Sequence, residues 1–422
     1  MMKDSKARES GQGLATSRGQ GITLETLEEV VRARVQELVQ RILEEEVAEV
    51  LGRGKSERRG IDDSAGSRNG YGKPRRLTMK GGTIEVRRPR VRGLEERFES
   101  RVLPLFTKRT KEVAEALPEL YLHGLAEGDF DLALRGLLGE DAPLSASTIA
   151  RLKAKWQEKR EAWNARRLDE LEVIYLWADG VYVRAGLQDE KAAVLVVMAG
   201  LRDGRKALLA LQSGHRESIE SWSCLLRDLK ARGLAPPKLV VGDGNLGLWG
   251  ALRNVYPEAK EQRCWNHRML NLVDRLPKRC QGAGKKLLQK VVYAETRREA
   301  EREKRAFQGW CRKHGCDDAA RLIEQDWERM VTFYDFPKEH WTHLRTTNPI
   351  ESPFAMLRLR TDAAKRYKRV DNATAVIWKV LLLAERRFRR LNAPEVLDCV
   401  WQEVSFIDGF PVNNASKEKL AA

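Results

Sequence analysis

Apolar residues between positions 24 and 51 recur every three or four residues, which is the spacing of one face of an α-helix. This pattern predicts one long amphipathic helix that Gly52 and Gly54 bring to an end. The helix carries more apolar surface than a single N-terminal helix needs. We therefore expect it to assemble a homodimer or a larger homo-oligomer.

Residues 68 to 92 contain nine basic residues and one acidic residue. Two short β-like runs, over 76–79 and 83–88, flank Gly81 and Gly82 and predict a cationic hairpin. Because acidic partners are nearly absent, we expect the hairpin to contact DNA phosphates; a solvated charged ribbon is the alternative. The candidate contacts are Arg68, Arg75, Arg76, Arg87, Arg88 and Arg90.

Three helical patterns follow, over 111–123, 129–138 and 145–167, and a turn at 139–143 joins the last two. Two short helices joined by such a turn are typical of a helix-turn-helix. Arg151 and Lys153 would then face the major groove of DNA. An ordinary helical hairpin has the same periodicity, so both interpretations stay open.

The middle of the chain has the pattern of a sheet flanked by helices. Strands are predicted over 172–178, 182–184, 192–198, 207–211 and 239–241. Helices are predicted over 218–232, before the last strand, and over 246–255, after it. This succession of strands, a helix, a strand and a helix indicates an α/β fold, because a helix between two strands implies a right-handed crossover and a parallel pair.

Two aspartates, Asp179 and Asp243, each follow an apolar strand and precede a glycine. Asp-Gly after a strand is usually only a turn. In this topology, however, both aspartates would end neighbouring strands at the same sheet edge. Phosphodiester transfer needs two divalent cations about 4 Å apart, and Mg²⁺ prefers oxygen ligands. The pair therefore predicts a magnesium site, with Glu351 as the candidate third ligand.

Glu351 has a competing interpretation as part of a helix cap, since Asn348 and Pro349 suit the start of a helix. Pro353 would then press on the carbonyl of Pro349. We therefore expect the helix to begin at Ser352 and to leave Glu351 free to reach a metal ion.

Helical patterns dominate the chain on both sides of Glu351. Residues 266–345 are charged and show no strand pattern, a basic helical run continues to Arg369, and an apolar helix is predicted over 374–391. Arg358 and Arg360 in the basic run could follow the DNA backbone or form a solvated helix face.

The composition fits a globular protein with a polyanionic partner. Hydrophobic residues make up 42% of the 422 residues, and no apolar run approaches the roughly 20 residues that cross a bilayer. The net charge of +16 suits a polyanionic partner, which we expect to be double-stranded DNA, and the lack of such an apolar run predicts no membrane partner. Six scattered cysteines and an N-terminus without a signal peptide predict a cytoplasmic protein, nucleoid-associated when bound to DNA.

Several short motifs of the sequence resemble those of one family: Leu-Trp-Ala-Asp179-Gly, Val-Gly-Asp243-Gly-Asn, Gln262-Arg-Cys264-Trp-Asn-His267 and Thr347-Asn-Pro-Ile-Glu351. Over about 22–391 the chain is similar to the bacterial insertion-sequence transposases of the Mutator superfamily. Pro353 departs from that pattern, because relatives usually carry a residue there that can donate a backbone hydrogen bond.

The resemblance implies a ribonuclease-H-like catalytic domain, with a mixed sheet and flanking helices, interrupted by an all-helical insertion and preceded by a mainly helical DNA-binding region. It implies that Asp179, Asp243 and Glu351 bind Mg²⁺, which Mn²⁺ could replace. It also implies recognition of terminal inverted repeats by the N-terminal region and attack of a 3′-OH on target DNA. The expected divisions begin with a tail at 1–20, a DNA-binding and oligomerisation region at 21–168 and the first part of the catalytic domain at 169–265. The helical insertion at 266–345, the last part of the catalytic domain at 346–412 and a tail at 413–422 follow.

Cys264 and His267 match the family's Cys-x-x-His pair and are expected to support the active site. Structural zinc is the alternative, but it normally takes four ligands. Cys280, Cys311, His314 and Cys316 are the residues that could complete such a set, at irregular spacing.

Two other functions share these features. A related metal-dependent nuclease would cut DNA without joining it, and an inactive transposase-derived protein would only bind DNA. The second would typically have lost one of the three acids, and all three are present.

Overall fold

A computed structural model describes residues 23–60, 66–105, 107–123, 125, 135, 138, 146–185, 191–214, 217–244 and 246–412. The chain forms two compact units. The first is Met1–Leu117 with Asp129–Ser145, and the second is Pro118–Gly128 with Ala146–Ala422. Most of the predicted helix-turn-helix, from 129 to 145, lies outside the described residues and stays a prediction.

The first unit begins with the long helix α1 (Leu24–Leu51), which has the predicted bounds. Thr23 caps it by accepting a hydrogen bond from the amide of Thr26. Gly52 ends it in a left-handed conformation, with φ +70°, that glycine adopts without strain.

Four short strands follow: β1 (Ser67–Tyr71), β2 (Arg75–Met79), β3 (Gly82–Val86) and β4 (Pro89–Arg92). β2 and β3 pair antiparallel, which confirms the predicted hairpin, and β1 pairs antiparallel with β4. Leu77 and Ile84 of the hairpin pack against Leu43 of α1 in a small core. One face of α1 therefore holds the hairpin in place.

Helix α2 (Lys111–Leu122) confirms the helix predicted over 111–123, and α3 (Ala146–Asn164) covers most of the one predicted over 145–167. α3 belongs to the second unit, where Trp163 lies edge-on to Trp378 with ring centroids 6.1 Å apart. The boundary between the units therefore places α3, like Pro118–Gly128, with the residues predicted to be catalytic and not with residues 21–117.

The second unit is built on a five-stranded mixed sheet: β5 (Val173–Arg184), β6 (Lys191–Leu201), β7 (Lys206–Gly214), β8 (Leu239–Gly242) and β9 (Lys260–Arg263). The spatial order is β7-β6-β5-β8-β9. β5, β6 and β7 form an antiparallel meander, and β8 and β9 are added parallel to β5. The helix α4 (Ile219–Ala231) makes the crossover before β8, and α5 (Leu246–Val255) follows it, so the predicted element order is confirmed.

β5 is one continuous strand where two were predicted, so Asp179 lies inside it and not at its end. The antiparallel ladder with β6 extends through Asp179, which pairs with Val196. The parallel ladder with β8 stops earlier, at Ala178 and Gly242. β5 continues beyond that point because β6 still supplies hydrogen-bond partners on its other side.

Helices α4 and α5 cover one face of the sheet. Trp222 and Leu226 of α4 and Trp249 and Leu252 of α5 are buried in one core with Leu176 of β5. At roughly 25 cal/mol per Å² of apolar surface, side chains of this size dominate the stability of the unit.

A helical region follows β9, with α6 (Trp265–Asp274), α7 (Lys278–Val292), α8 (Arg297–Lys313), α9 (Asp317–Leu322), α10 (Trp327–Val331) and α11 (Trp341–Leu344). Within the described residues, no strand occurs between Arg263 and Phe406. Leu272, Leu288, Phe307 and Ile323 contribute to a core of its own. The helical character predicted for 266–345 is confirmed.

The chain ends with α12 (Asn348–Ala364), α13 (Val370–Glu385), α14 (Leu397–Trp401) and the hairpin of β10 (Phe406–Ile407) and β11 (Phe410–Pro411). The predicted helix bounds were wrong here. The basic helical run stops at Ala364, since the amide of Tyr367 donates to the carbonyl of Arg184 at 2.9 Å and extends the chain beside β5. Among the described helices, none has the length and apolar character to span a membrane.

Candidate active site

The register of the parallel strands brings Asp179 and Asp243 to the same sheet edge. Ala178 of β5 pairs with Gly242 of β8, and each aspartate is the next residue along the chain. The two carboxylates therefore leave the sheet from adjacent positions. The expectation of a shared edge is confirmed, although Asp179 reaches it from within a longer strand.

Burial raises the pKa of Asp179 to about 7. The amide of Gly180, which donates to Asp179 Oδ1 at 2.8 Å, acts in the opposite direction, while the charges of Asp243 and Glu351 raise the pKa of Asp179 further. Asp243 and Glu351 therefore both lie within electrostatic reach of Asp179. A divalent cation among them would remove the repulsion.

Glu351 lies in the first turn of α12, which begins at Asn348 and not at Ser352 as predicted. The amide of Glu351 donates to the carbonyl of Thr347 at 2.9 Å. The carboxylate also accepts a hydrogen bond from the hydroxyl of Thr347. Glu351 is thus helical, and its half-buried side chain is near enough to Asp179 to raise the pKa of that carboxyl.

Pro353 did not prevent the earlier helix start. Its ring removes one backbone hydrogen bond, the one that would reach the carbonyl of Pro349. Ile350, Phe354 and Leu357 are buried on the same helix, and their packing holds it across that gap. Tertiary packing outweighs the local cost of proline here.

Hydrogen bonds connect helix α6 to the start of α12. The amide of Trp265 donates to the carbonyl of Arg345 at 2.9 Å, and the side chain of Asn266 donates to that of Asn348 at 2.8 Å. Because His267 follows directly on α6, these bonds bring it beside Glu351, with 3.8 Å between His267 Nδ1 and Glu351 Oε1.

Cys264, His267 and Glu351 surround the hydroxyl of Thr347. One ligand atom from each of the three lies within 4.8 Å of the others. The Thr347 hydroxyl is 3.2 Å from Cys264 Sγ and 3.5 Å from His267 Nδ1. The hydrogen bond with Cys264 raises the pKa of His267 to about 9, and the negative charges of Glu351 and Asp179 also raise it, against the effect of burial.

The four-ligand zinc set is not assembled within the described residues. Cys280, Cys311 and Cys316 lie in the hydrophobic core of the helical region, apart from Cys264 and His267. The nitrogen Nδ1 of His314 instead lies 2.8 Å from the carbonyl of Trp310. Cys264, His267 and Glu351 offer three ligand atoms, one fewer than the four that structural zinc takes.

Glu217 is a further acid at this edge, and the sequence analysis missed it. A Cβ added at Gly180 would collide with the Glu217 carboxylate, so the two are in close contact. Burial raises the pKa of Tyr182 to about 12, and its hydrogen bond with Glu217 adds to the effect. The direction of β7 could have indicated Glu217 from the sequence. Because β7 runs parallel to β5, the residues after its end reach the same edge of the sheet.

Three of the six arginines predicted to contact DNA on the hairpin are exposed, namely Arg76, Arg87 and Arg90. The other three are half-buried and bond within their own unit: Arg68 to the Glu44 carboxylate, Arg75 to the carbonyl of Thr107 and Arg88 to that of Phe98. The exposed three are the better candidates for phosphate contacts.

The predicted contacts in the second unit differ in the same way. Arg151 and Arg358 are exposed, and Lys153 is half-buried over the ring of Tyr121 at 5.4 Å. The prediction for Arg360 is wrong. Arg360 is 1% exposed and lies 3.7 Å from the centre of the Tyr121 ring, because it is three residues from Leu357 on the buried face of α12.

Comparison with known proteins agrees with these features. A family model described as "Transposase, Mutator family" matches residues 7–389. The transposase for insertion sequence element IS6120 of Mycolicibacterium smegmatis is 43% identical over 289 residues, which are 68% of this chain and 89% of that protein. The transposase for IST2 of Acidithiobacillus ferrooxidans is 38% identical over 284 residues, 67% of this chain and 95% of that protein.

A more distant relative, the transposase for ISRM5 of Rhizobium meliloti (strain 1021), is 30% identical over 334 residues, 78% of this chain and 81% of that protein. The family match includes the sheet edge with Asp179 and Asp243 as well as Glu351 on α12. The chain therefore belongs to the Mutator family of transposases and is an enzyme that acts on DNA.

Proposed function

We propose that this transposase binds the terminal inverted repeats of an insertion sequence, cuts the DNA at the ends of the element and joins the 3′-OH to target DNA. Asp179, Asp243 and Glu351 are the proposed ligands of the divalent metal ions. Mg²⁺ is the proposed physiological ion, with Mn²⁺ as a substitute.

The observation that carries this proposal is the register of β5 and β8. It aligns Asp179 with Asp243 directly after the paired residues Ala178 and Gly242. The effect of Glu351 on the pKa of Asp179 adds the third carboxylate to the group. Two carboxylates at one sheet edge and a third from α12 are the kind of oxygen-rich set that Mg²⁺ takes.

The side chains around the acids are suited to orienting them. The Gly180 amide holds Oδ1 of Asp179, and the Thr347 hydroxyl holds the carboxylate of Glu351. His267 and Cys264 contact that hydroxyl from α6 and would keep it in place. Divalent cations, when bound, would activate the attacking oxygen and stabilise the leaving one.

The sheet supports a ribonuclease-H-like fold for the catalytic domain. Counted from β5, the strands lie in the spatial order 3-2-1-4-5, with the first three antiparallel and the last two parallel to the first. We propose that residues 169–265 and 346–412 form this domain and that 266–345 are its helical insertion. The N-terminal region, with its exposed hairpin arginines, would recognise the repeats within a synaptic homo-oligomer.

Glu351→Gln is the experiment that tests the proposal most directly. Glutamine can still accept the hydrogen bond of Thr347, but it is a poor ligand for Mg²⁺. We expect an unchanged melting temperature without metal, no rise in melting temperature on adding Mg²⁺, and cutting reduced by orders of magnitude. Glu339→Gln, an exposed glutamate of the same unit, is the matched control and should behave as wild type.

Cutting of repeat DNA at a near-normal rate by Glu351→Gln would move the third ligand to another acid. A strand-transfer assay with pre-cut ends then separates a transposase from a nuclease. Wild-type protein that cuts in Mg²⁺ but never joins the 3′-OH to a second duplex would contradict the joining step.

A further inference from the structure

A second feature lies immediately beside the candidate metal ligands. A cavity of about 560 Å³ opens next to Gly244, the residue after Asp243. Its walls come from β9, from α6 and from the segment before α10, and they include Arg263, Arg268, Arg275 and Asp326. A cavity of this size accepts a nucleotide-sized group.

Two of the arginines are buried and have unsatisfied donors. Arg263 is 8% exposed and Arg268 is 2% exposed. Arg263 donates to Asp326 at 2.5 Å, and Arg268 donates to the carbonyls of Leu322 and Gln325. The Nε of each arginine is also buried, and no described residue accepts a hydrogen bond from either. Buried guanidinium donors normally have partners, and an anion bound in the cavity would supply them for these two.

The charges around the cavity are not balanced. Arg263 shares the Asp326 carboxylate with Arg329, which donates a hydrogen bond to its second oxygen at 2.6 Å. Burial lowers the pKa of Arg268 to about 10, and the nearby charge of Arg263 lowers it further. At the rim, the exposed Asp274 and Arg275 offset each other. The interior therefore keeps an excess of positive charge.

The backbone is constrained at two points of the wall. Asp326 has φ +62°, a left-handed conformation that residues other than glycine rarely adopt. Gly244 has φ +99°, and a Cβ there would collide with the guanidinium of Arg263. Glycine adopts its conformation without strain, whereas the strain at Asp326 persists because the surrounding structure enforces it, and such strain is frequent at functional sites.

We propose that this cavity binds a phosphodiester group of the DNA backbone, a few nucleotides from the one that is cut. The inference rests on the proposed function, since it places the scissile phosphate at Asp179, Asp243 and Glu351. Guanidinium groups match the oxygens of a phosphate in a two-pronged geometry. Arg263 and Arg268 would hold the phosphate inside the cavity, and Arg275 would hold it at the rim.

Two full-length variants test the site by binding and not by cutting. The probe is a short duplex with the sequence of the DNA end next to the gene, and its dissociation constant is measured at several salt concentrations without Mg²⁺. Arg275→Gln removes one exposed charge; we expect roughly tenfold weaker binding and a salt slope lower by about one. Arg263→Lys keeps its charge, so affinity should fall while the slope stays the same.

Arg312→Gln is the control, because Arg312 is exposed in the same unit and does not line the cavity. It should leave both affinity and slope unchanged. If Arg263→Lys fails to fold, as thermal melting would reveal, Arg275→Gln alone decides. Wild-type affinity and slope for Arg275→Gln would overturn the proposal.

Neutral methylphosphonate linkages, placed one at a time near the cut, identify the phosphate. In the wild type, one position should weaken binding about tenfold, and in Arg275→Gln the same position should weaken binding clearly less, because one of the three arginines that contact this phosphate is already absent. Additive losses at every position would overturn the proposal. Because the readout is binding, a wild type that binds but never cuts counts against the proposed function and leaves this test valid.

Discussion

Gly180 leaves the space that the Glu217 carboxylate occupies beside Asp179, so a single missing methyl group shapes the acidic edge. Gly180→Ala would push the flexible end of Glu217 away from the strand and change the position of its charge. We expect a stability change below about 1 kcal/mol. The cutting rate should fall about 10- to 100-fold, because small displacements at a reacting centre are costly. Thermal melting and a cleavage assay in Mg²⁺ measure the two effects.

Gly309→Ala is the matched control for that substitution. No described atom lies within 4 Å of a Cβ added at Gly309, which is inside α8. Alanine should stabilise the helix by about 0.5 to 1 kcal/mol and leave cutting unchanged. Equal cutting by Gly180→Ala and Gly309→Ala would mean that Glu217 has no role at the site.

His343 should make the stability of the second unit depend on pH. Burial lowers the pKa of His343 to about 4, and its Nε2 accepts a hydrogen bond from the amide of Asn392 at 3.2 Å. The unfolded chain takes up this proton near pH 6.5 and the folded chain only near pH 4, so stability is lost as pH falls through that window. Between pH 7 and pH 5 we expect a loss of about 1 kcal/mol.

His343→Gln keeps a hydrogen-bond acceptor and does not titrate. Its free energy of unfolding should therefore vary less between pH 7 and pH 5 than that of the wild type. Chemical denaturation at the two pH values measures the difference. Identical pH dependence in both proteins would contradict the assignment to His343.

At the scale of elements, α1 has one face buried and one face exposed. Leu43, Val47 and Leu51 are fully buried, whereas Leu27, Val31 and Leu38 are 43%, 48% and 50% exposed. The exposed residues are spaced by four and seven positions and so lie on one side of the helix. An apolar stripe of this kind suits pairing with a second copy of the helix.

We predict that replacing Leu27, Val31 and Leu38 together with Gln lowers the mass of the protein in solution, because the proposed homo-oligomer loses its apolar contact. The fold should persist, since none of the three is in the core. Light scattering gives the mass and circular dichroism the helix content. Leu270→Gln, which changes a 61% exposed residue of the second unit, should leave the mass unaltered. A triple variant of unaltered mass would remove α1 from the assembly.

At the scale of the whole molecule, the cationic hairpin and the acids belong to different compact units. We therefore expect DNA binding and DNA cutting to be separable. Arg76→Gln with Arg87→Gln should weaken binding to repeat DNA and lower its salt slope by about two, because two phosphate contacts are lost. Asp179→Asn should bind normally and fail to cut. Anisotropy titrations and cleavage assays on the same preparations compare the two.

The control for the hairpin variant removes the same charge elsewhere, with Arg312→Gln and Arg321→Gln in the second unit, where both side chains are exposed. This variant should keep the repeat affinity of the wild type. If it bound as weakly as the hairpin variant, net charge alone would account for the effect, and the hairpin would lose its assigned role.

Periodicity along the sequence was sufficient for the elements that local interactions determine. The bounds of α1, the hairpin of β2 and β3 and the element order of the sheet followed from it, because a helix face repeats every 3.6 residues and strand ends are marked by glycine and proline. The three candidate acids were predicted from strand ends and from the family resemblance.

Tertiary structure decided whatever depends on distant partners. β5 runs through Asp179 because β6 pairs with it, and α12 starts at Asn348 because its buried face packs across Pro353. Arg360 is buried against Tyr121, and Glu217 arrives at the site from the end of β7. Charge, exposure and proximity of such side chains are set by residues far away in the chain, which no local pattern contains.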